Sequence, residues 1–134
     1  MPTRSLKDIL STSKTIAVVG CSTDPTKAAH DIPRYMKEQG YRIIPVHPKA
    51  PEILGERAYP SLEAIPEKVD VVNVFRPSEE APAIVAQAAK IGARAVWMQS
   101  GIESEEARSI GRRAGLEVVM DRCIGTEHRR MFGR

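Results

Sequence analysis

The sequence predicts an α/β domain built on a doubly wound, five-stranded parallel sheet with helices on both faces. Short β-branched, apolar runs alternate along the chain with segments of helical composition. Several of these runs are almost continuously apolar, which is typical of strands that helices cover on both faces. Three helical segments end at a glycine that a strand follows directly, at Gly40, Gly92 and Gly115. Glycine there supplies the left-handed residue with which many helices end.

The five predicted strands are, in chain order, residues 15–19, 41–46, 69–75, 93–98 and 116–120. We expect the order 3-2-1-4-5 across the sheet, so that the order reverses between strands one and four. Trp97, late in strand four, is expected in the core. The segment between strands two and three holds four prolines and therefore predicts only one helical turn, at residues 62–65.

The predicted helices cover residues 6–10, the segment that ends at Gly40, residues 80–91, and the segment from Ser104 to Gly115. Side-chain oxygens accept hydrogen bonds from the first N–H groups of a helix. We therefore expect Ser5, Ser78 and Ser104 to be the N-caps of the first, third and fourth helices. Acidic residues follow each of these serines, as the positive end of the helix dipole favours.

Composition limits the classes of function. The 134 residues fit one domain over residues 1–134, and a net charge of +3 argues against bulk nucleic-acid binding. Cys21 and Cys123 form no Cys-x-x-Cys pair, which suits a reduced protein and leaves no zinc site of the usual spacing. No segment is apolar enough for a membrane span or a secretory signal. We therefore expect a cytoplasmic protein without membrane or nucleic-acid partners.

Parallel sheets bind ligands beyond the carboxyl ends of their strands, so the loops there are the candidate site. The loop after strand one runs from Gly20 to Lys27 and leads into a helix whose N–H groups attract anions. Gly20 permits a tight turn, Ser22 offers a hydroxyl donor and Lys27 adds charge. This pattern predicts a phosphate site, and an ordinary turn with Asp24 or Thr26 as the N-cap is the open alternative.

The remaining loops add cations to the same edge. The first loop lacks Gly-x-Gly-x-x-Gly, and strand two ends in His47 and Lys49 where NAD enzymes place an acid. A basic pair there suggests a phosphorylated ribose, and the alternative is a solvated lysine and a histidine that fills a turn. Arg76 follows strand three and is suited to a bidentate phosphate contact. Together these side chains predict a cationic cleft for a polyphosphate.

Ordered motifs along nearly the whole chain resemble the small single-domain proteins that bind coenzyme A (CoA). The motifs are Val18-Val19-Gly20-Cys21-Ser22, Pro45-Val46-His47-Pro48, Tyr59-Pro60-Ser61-Leu62, Val74-Phe75-Arg76, Val96-Trp97-Met98-Gln99-Ser100-Gly101-Ile102 and Met120-Asp121-Arg122-Cys123. These proteins are similar to the N-terminal domain of the succinyl-CoA synthetase alpha subunit. The resemblance implies a Rossmann-like fold and CoA, or an acyl-CoA, as the ligand. The resemblance does not imply ligase activity, because the phosphohistidine of the synthetase belongs to a second domain that the resemblance does not include.

The same resemblance implies roles for three segments. Residues 22–25 match the phosphate loop of that domain, Lys49 matches a lysine at the nucleotide end, and residues 98–100 match the segment along the pantetheine arm. Lys27, His47 and Arg76 are added from their charge and placement. The predicted CoA-binding residues are Gly20, Cys21, Ser22, Thr23, Asp24, Pro25, Lys27, His47, Lys49, Phe75, Arg76, Met98, Gln99, Ser100 and Gly101.

No catalytic residue and no metal ligand is predicted, because no nucleophile–base pair, Ser-His-Asp order or metal cluster is visible. His30 has no evident partner, and His128 is expected on a solvated C-terminal helix or arm. We therefore expect a CoA-binding module, acting in carriage, sensing or regulation of a protein partner, more readily than an enzyme. The alternatives are an enzyme that acts on an acyl-CoA, an NADP-dependent oxidoreductase, or a mixed disulfide between CoA and Cys21 or Cys123.

Overall fold

A computed structural model of the protein describes residues 5–133. Within this range the elements are α1 (Leu6–Thr12), β1 (Thr15–Val19), α2 (Ala28–Glu38), β2 (Arg42–Val46), β3 (Glu52–Ile53), β4 (Glu56–Arg57), a 3₁₀ turn (Leu62–Ala64), β5 (Val71–Val74), a second 3₁₀ turn (Ser78–Glu80), α3 (Ala81–Lys90), β6 (Ala95–Met98), α4 (Glu105–Arg113), β7 (Glu117–Val119) and α5 (Ile124–Phe132). The single helical turn expected between strands two and three is confirmed. No helix in the described range is long and apolar enough to cross a membrane.

The main sheet contains five parallel strands in the order β2-β1-β5-β6-β7, and β3 and β4 form a separate two-stranded hairpin. The predicted α/β, Rossmann-like fold is confirmed. Counted over the five predicted strands, however, the order is 2-1-3-4-5, so the third strand lies directly beside β1 rather than outside β2. The order therefore reverses between β1 and β5, not between strands one and four.

The chain itself explains why the third strand does not lie outside β2. After β2 it turns back through the hairpin, and Tyr59 forms a parallel bridge with Val46. The Tyr59 N–H donates to the carbonyl of Pro45 at 3.0 Å, and the His47 N–H donates to the carbonyl of Tyr59 at 2.9 Å. These bonds use backbone groups on the outer edge of β2. The next strand then pairs with the remaining edge of β1.

Helices cover both faces of the sheet, as predicted. On one face, Met36 of α2 and Ile124 of α5 pack with Ile16 and Ile43 of the sheet. On the other face, α3 and α4 pack against β5 and β6. Trp97 is fully buried in the core, as expected, and its Nε1 donates to the carbonyl of Arg122 at 2.8 Å.

Two of the three predicted N-caps are confirmed. The hydroxyl of Ser5 accepts from the N–H of Asp8, and the hydroxyl of Ser104 accepts from the N–H of Ala107, both at 3.1 Å. The prediction for Ser78 is wrong, because a 3₁₀ turn delays the start of α3 to Ala81. Ser78 instead accepts from the N–H of Glu103 at 3.1 Å and so ties two loops at the carboxyl edge together.

Candidate functional site

A cleft of about 620 Å³ opens at the carboxyl edge of the sheet, where the strand order reverses between β1 and β5. The loops that leave these two strands lead to helices on opposite faces, which separates them and creates the crevice. The residues that line it are Val19, Gly20, Cys21, Ser22, Lys27, Ala29, Val46, His47, Pro48, Pro60, Phe75, Arg76, Glu80 and Ile84. The lining therefore combines an apolar wall with cationic and hydroxyl groups.

Gly20 is at the closest approach between the two loops. Its φ is +87°, a region that favours glycine. A Cβ built there would lie 2.9 Å from Cδ of Arg76 and 3.0 Å from the carbonyl oxygen of Phe75. Both the backbone conformation and the close contact with Phe75 and Arg76 therefore require a glycine at this position.

The loop after β1 is held by its own side chains. The Ser22 hydroxyl accepts from the N–H of Asp24 at 3.0 Å. Asp24 Oδ1 accepts from the N–H of Thr26 at 2.9 Å and from its hydroxyl at 2.7 Å. These bonds from Thr26 hold the pKa of Asp24 below its usual range.

The N-terminus of α2 has no side-chain cap. Its N-cap residue is Lys27, which makes no side-chain capping bond. The alternative in which Asp24 or Thr26 caps the helix is therefore wrong, because these two residues bond each other instead. An eleven-residue helix without a side-chain cap presents its positive end at the cleft, beside the exposed Lys27.

Cys21 lies at the base of the loop and is buried. Burial raises the pKa of its thiol to about 11, and a hydrogen bond from the backbone of Ser22 only partly offsets this. The thiol is therefore protonated at neutral pH. A protonated, buried thiol is a poor nucleophile, so Cys21 forms part of the cleft wall and is not a reactive group.

His47 belongs to a turn and also lines the cleft. Its Nδ1 accepts from the backbone N–H of Lys49 at 3.0 Å and of Ala50 at 2.9 Å. Because Nδ1 is the acceptor, the neutral ring carries its proton on Nε2. The side chain of Lys49 is exposed, and the residue does not contribute to the cleft wall.

Arg76 lies on the β5 side of the cleft and is paired within the protein. Its Nε donates to Glu80 Oε1 at 3.0 Å and its Nη2 donates to Glu80 Oε2 at 2.7 Å. These bonds raise the pKa of Arg76 and lower the pKa of Glu80. Both side chains are close to half exposed, at 47% and 45%, so solvent reaches the pair. Glu80 was not among the predicted site residues, although its spacing of four from Arg76 is the usual one for an ion pair within one turn.

The end of β6 and the loop after it do not line this cleft. Met98 is fully buried, and Gln99 is 5% exposed. Gln99 Oε1 accepts from Nδ2 of Asn73 at 3.0 Å and from the N–H of Ile124 at 2.9 Å, so its amide oxygen is fixed within the core. Asn73 is a residue that the sequence analysis missed, although a polar side chain within an apolar strand is a signal of such a network.

The exposed part of the same loop is fixed by an aspartate. The N–H of Gly101 donates to Asp121 Oδ1 at 2.6 Å. Asp121 has a φ of +57°, which is uncommon for a residue other than glycine. The bond to Gly101 gives a reason for that conformation, because it places the carboxylate across the loop.

Cys123 differs from Cys21 in exposure and acidity. It is partly exposed and is the N-cap residue of α5. Burial would raise the pKa of its thiol, but hydrogen bonds from Thr126, Gln99 and Gly125 outweigh burial and hold the pKa below its usual value. Of the two cysteines, Cys123 is therefore the one that favours a thiolate.

His128 is buried, which contradicts the expected solvated position. Its Nδ1 lies 2.9 Å from the hydroxyl oxygen of Tyr35, and its ring packs edge-on against Tyr35 and Tyr41. The prediction failed because α5 is amphipathic: its basic side chains face solvent while His128 faces α2. Burial lowers the pKa of His128.

The structure therefore brings seven of the fifteen predicted binding residues to the cleft wall: Gly20, Cys21, Ser22, Lys27, His47, Phe75 and Arg76. Thr23, Asp24 and Pro25 belong to the same loop without lining the cleft. Lys49, Met98, Gln99, Ser100 and Gly101 lie outside its lining, and their roles in binding stay predictions. Within the described residues, no group of three His, Cys, Asp or Glu side chains is placed to hold a metal ion.

Most of the chain matches a known protein family. Residues 14–129 match the model of the family described as CoA binding domain. The chain is 42% identical over 123 residues to the uncharacterized protein YneT of Bacillus subtilis, an alignment that covers 92% of this chain and 91% of that protein. A solved structure from Thermus thermophilus has 42% sequence identity and a TM-score of 0.91, and the match covers 98% of this chain and all of that one.

A more distant relative is a subunit of a ligase. The chain is 26% identical over 121 residues to the alpha subunit of an ADP-forming acetate–CoA ligase from Pyrococcus furiosus. That alignment covers 82% of this chain but only 26% of the subunit. The chain is thus homologous to one part of a much longer protein.

Proposed function

Because the chain belongs to the CoA-binding domain family, we propose that it is a single CoA-binding domain that holds CoA, or an acyl-CoA, in the cleft between β1 and β5. The main support for the proposal comes from the loop after β1. There a glycine backbone, a hydroxyl and a helix N-terminus without a side-chain cap meet at the reversal of the strand order. The acetate–CoA ligase relative, by its name, uses CoA.

The residues of the loop fit a phosphate group. Gly20 lets the loop backbone pack directly against Phe75 and Arg76, which brings the arginine side chain close to the loop that would bind the phosphate. The hydroxyl of Ser22 accepts one bond from the loop and keeps its own proton for donation to a phosphate oxygen. Lys27 is exposed at the start of α2, so its charge, which already acts on the neighbouring Asp24, also reaches a ligand in the cleft.

The remaining walls fit the adenosine part of CoA. Pro48, Pro60, Phe75 and Ile84 offer apolar surface for a base, and His47 offers an Nε2–H donor. We propose that Lys49, beside this wall, meets the phosphorylated ribose. We propose that the predicted pantetheine segment, residues 98–100, meets the other end of the ligand through the exposed Ser100.

We propose binding without catalysis. A catalytic cleft requires a nucleophile and a base within reach of each other. Cys21 is the thiol in the cleft wall, and its raised pKa argues against a thiolate there. An enzyme acting on an acyl-CoA remains the second candidate, because Cys123 favours a thiolate at the same edge of the sheet.

The test is calorimetric titration of protein stripped of bound ligand with CoA, dephospho-CoA, NADP and NAD in one buffer at one salt concentration. We expect CoA to bind more tightly than the other three. Tighter binding of NADP would favour the oxidoreductase alternative. Binding of none of the four would contradict the proposed function. Incubation with acetyl-CoA and measurement of released thiol separates a binder, which releases none above background, from an enzyme.

A further inference from the structure

Glu80 is an acidic residue in a cleft whose other charged groups favour an anion. It lies on the wall beside Arg76, and its carboxylate accepts from both Nε and Nη2 of that residue. A bidentate arrangement of this kind is the strongest contact that a guanidinium makes with a carboxylate. The arginine best placed to hold a phosphate is therefore occupied by a side chain of the protein.

The Arg76 side chain spans the distance from the loop after β1 to the start of α3. Its Cδ and Cγ lie 2.9 Å and 3.2 Å from the position that a Cβ on Gly20 would take, so its stem rests on that loop. Its guanidinium is directed to Glu80, the residue just before α3. A phosphate bound on the loop would lie beside the stem, and the guanidinium would have to turn away from Glu80 to contact it.

We propose that Glu80 determines the affinity of the cleft by competing with a ligand phosphate for Arg76, so that binding exchanges one ion pair for another. This inference rests on the proposed function. The exchange is feasible because both side chains are nearly half exposed, so water solvates the carboxylate that is released. A phosphate dianion carries more charge than the carboxylate and is the ligand group that can win the exchange.

The exchange lowers affinity in two ways. The ligand must first break the Arg76–Glu80 pair, and the freed carboxylate then remains in the cleft as a like charge. Breaking an exposed ion pair of this kind is expected to change Kd by roughly fivefold at most. Removing the charge of Glu80 is therefore expected to tighten CoA binding about fivefold.

The experiment compares the wild type with Glu80→Gln and with the matched control Glu79→Gln by calorimetric titration with CoA. Glu79 is exposed, does not line the cleft, and makes no ion pair with any described residue. Both variants change the net charge equally at adjacent positions. We expect about fivefold tighter binding for Glu80→Gln and less than twofold change for Glu79→Gln.

A second arm tests whether Glu80 acts through Arg76. In an Arg76→Ala background, Glu80→Gln has no ion pair to release, so its gain should fall to less than about twofold. A gain that persists in full would overturn the exchange and leave simple charge repulsion. Equal affinities of Glu80→Gln and Glu79→Gln, with CoA bound by the wild type, would overturn the inference alone. No CoA binding by the wild type or by Glu80→Gln would overturn both the inference and the proposed function.

Discussion

Replacing Gly20 by alanine tests the close contact on which the cleft depends. The substitution destabilises the fold in two ways, through the backbone conformation and through a steric contact. An L-residue at a φ of +87° costs about 1–2 kcal/mol. The new Cβ would also lie 2.9 Å from Cδ of Arg76 and 3.0 Å from the carbonyl oxygen of Phe75. The arginine stem can move, but the backbone oxygen cannot do so cheaply, and overpacking of this kind adds about 1–3 kcal/mol.

Gly115→Ala is the matched control. Gly115 has a φ of +85° and would place its Cβ with nothing within 4 Å, so it carries the conformational cost without the contact. Urea unfolding of both variants measures the free energy of unfolding, and the difference between them isolates the contact with Arg76 and Phe75. We expect Gly20→Ala to be less stable than Gly115→Ala by about 1–3 kcal/mol.

CoA titration of the same two variants links the contact to the site. Gly20→Ala should weaken CoA binding, since the methyl group displaces Arg76 and shifts the loop away from Phe75, whereas Gly115→Ala should bind CoA as the wild type does. Equal stabilities of the two variants would refute the geometry of the cleft. Unchanged CoA affinity in Gly20→Ala would refute the assignment of this loop to the ligand.

Three further predictions follow from the same structure. Arg76→Ala and Lys49→Ala should weaken CoA binding by about 1–3 kcal/mol in calorimetry, and should weaken dephospho-CoA less wherever the residue meets the 3′-phosphate. Cys123 should react faster than Cys21 with an aromatic disulfide reagent at pH 7.5, as mass spectrometry of the labelled peptides measures, because it is more exposed and has the lower pKa. Below about pH 6.5 the free energy of unfolding should fall more steeply in the wild type than in His128→Gln, because burial lowers the pKa of His128 in the folded state, so the unfolded chain binds the proton more readily.

Each of these predictions has a contradicting result. Equal losses for CoA and dephospho-CoA would reassign Arg76 or Lys49 to the pyrophosphate, and no loss would remove the residue from the site. Faster labelling of Cys21 would contradict its burial. Parallel stability curves for the wild type and His128→Gln between pH 7 and pH 5 would show that His128 titrates alike in the folded and unfolded chain.

The sequence was informative where one strand or one helix end determines the structure. The apolar runs located all five main strands, the glycines at 40, 92 and 115 all have positive φ, and Ser5 and Ser104 are caps. Such features depend on neighbours within a few residues, so the sequence contains their cause. The position of the loop after β1 was also predictable, because the loops that follow parallel strands lie at the carboxyl edge of the sheet, where such sheets bind ligands.

Strand order and side-chain contacts depend on residues that are distant in the sequence, so only the tertiary structure established them. Strand periodicity tells which faces are buried but not which strand is the neighbour, so the pairing of Tyr59 with β2 and of β5 with β1 could not be predicted. The partners of polar side chains were equally hidden, since Gln99 binds Asn73 across the sheet. The amino-acid sequence alone determined an α/β domain and predicted, at one sheet edge, a loop that binds phosphate. Only the packing decided that Arg76 of this edge is held by Glu80, because side chains select their partners after the backbone has placed them.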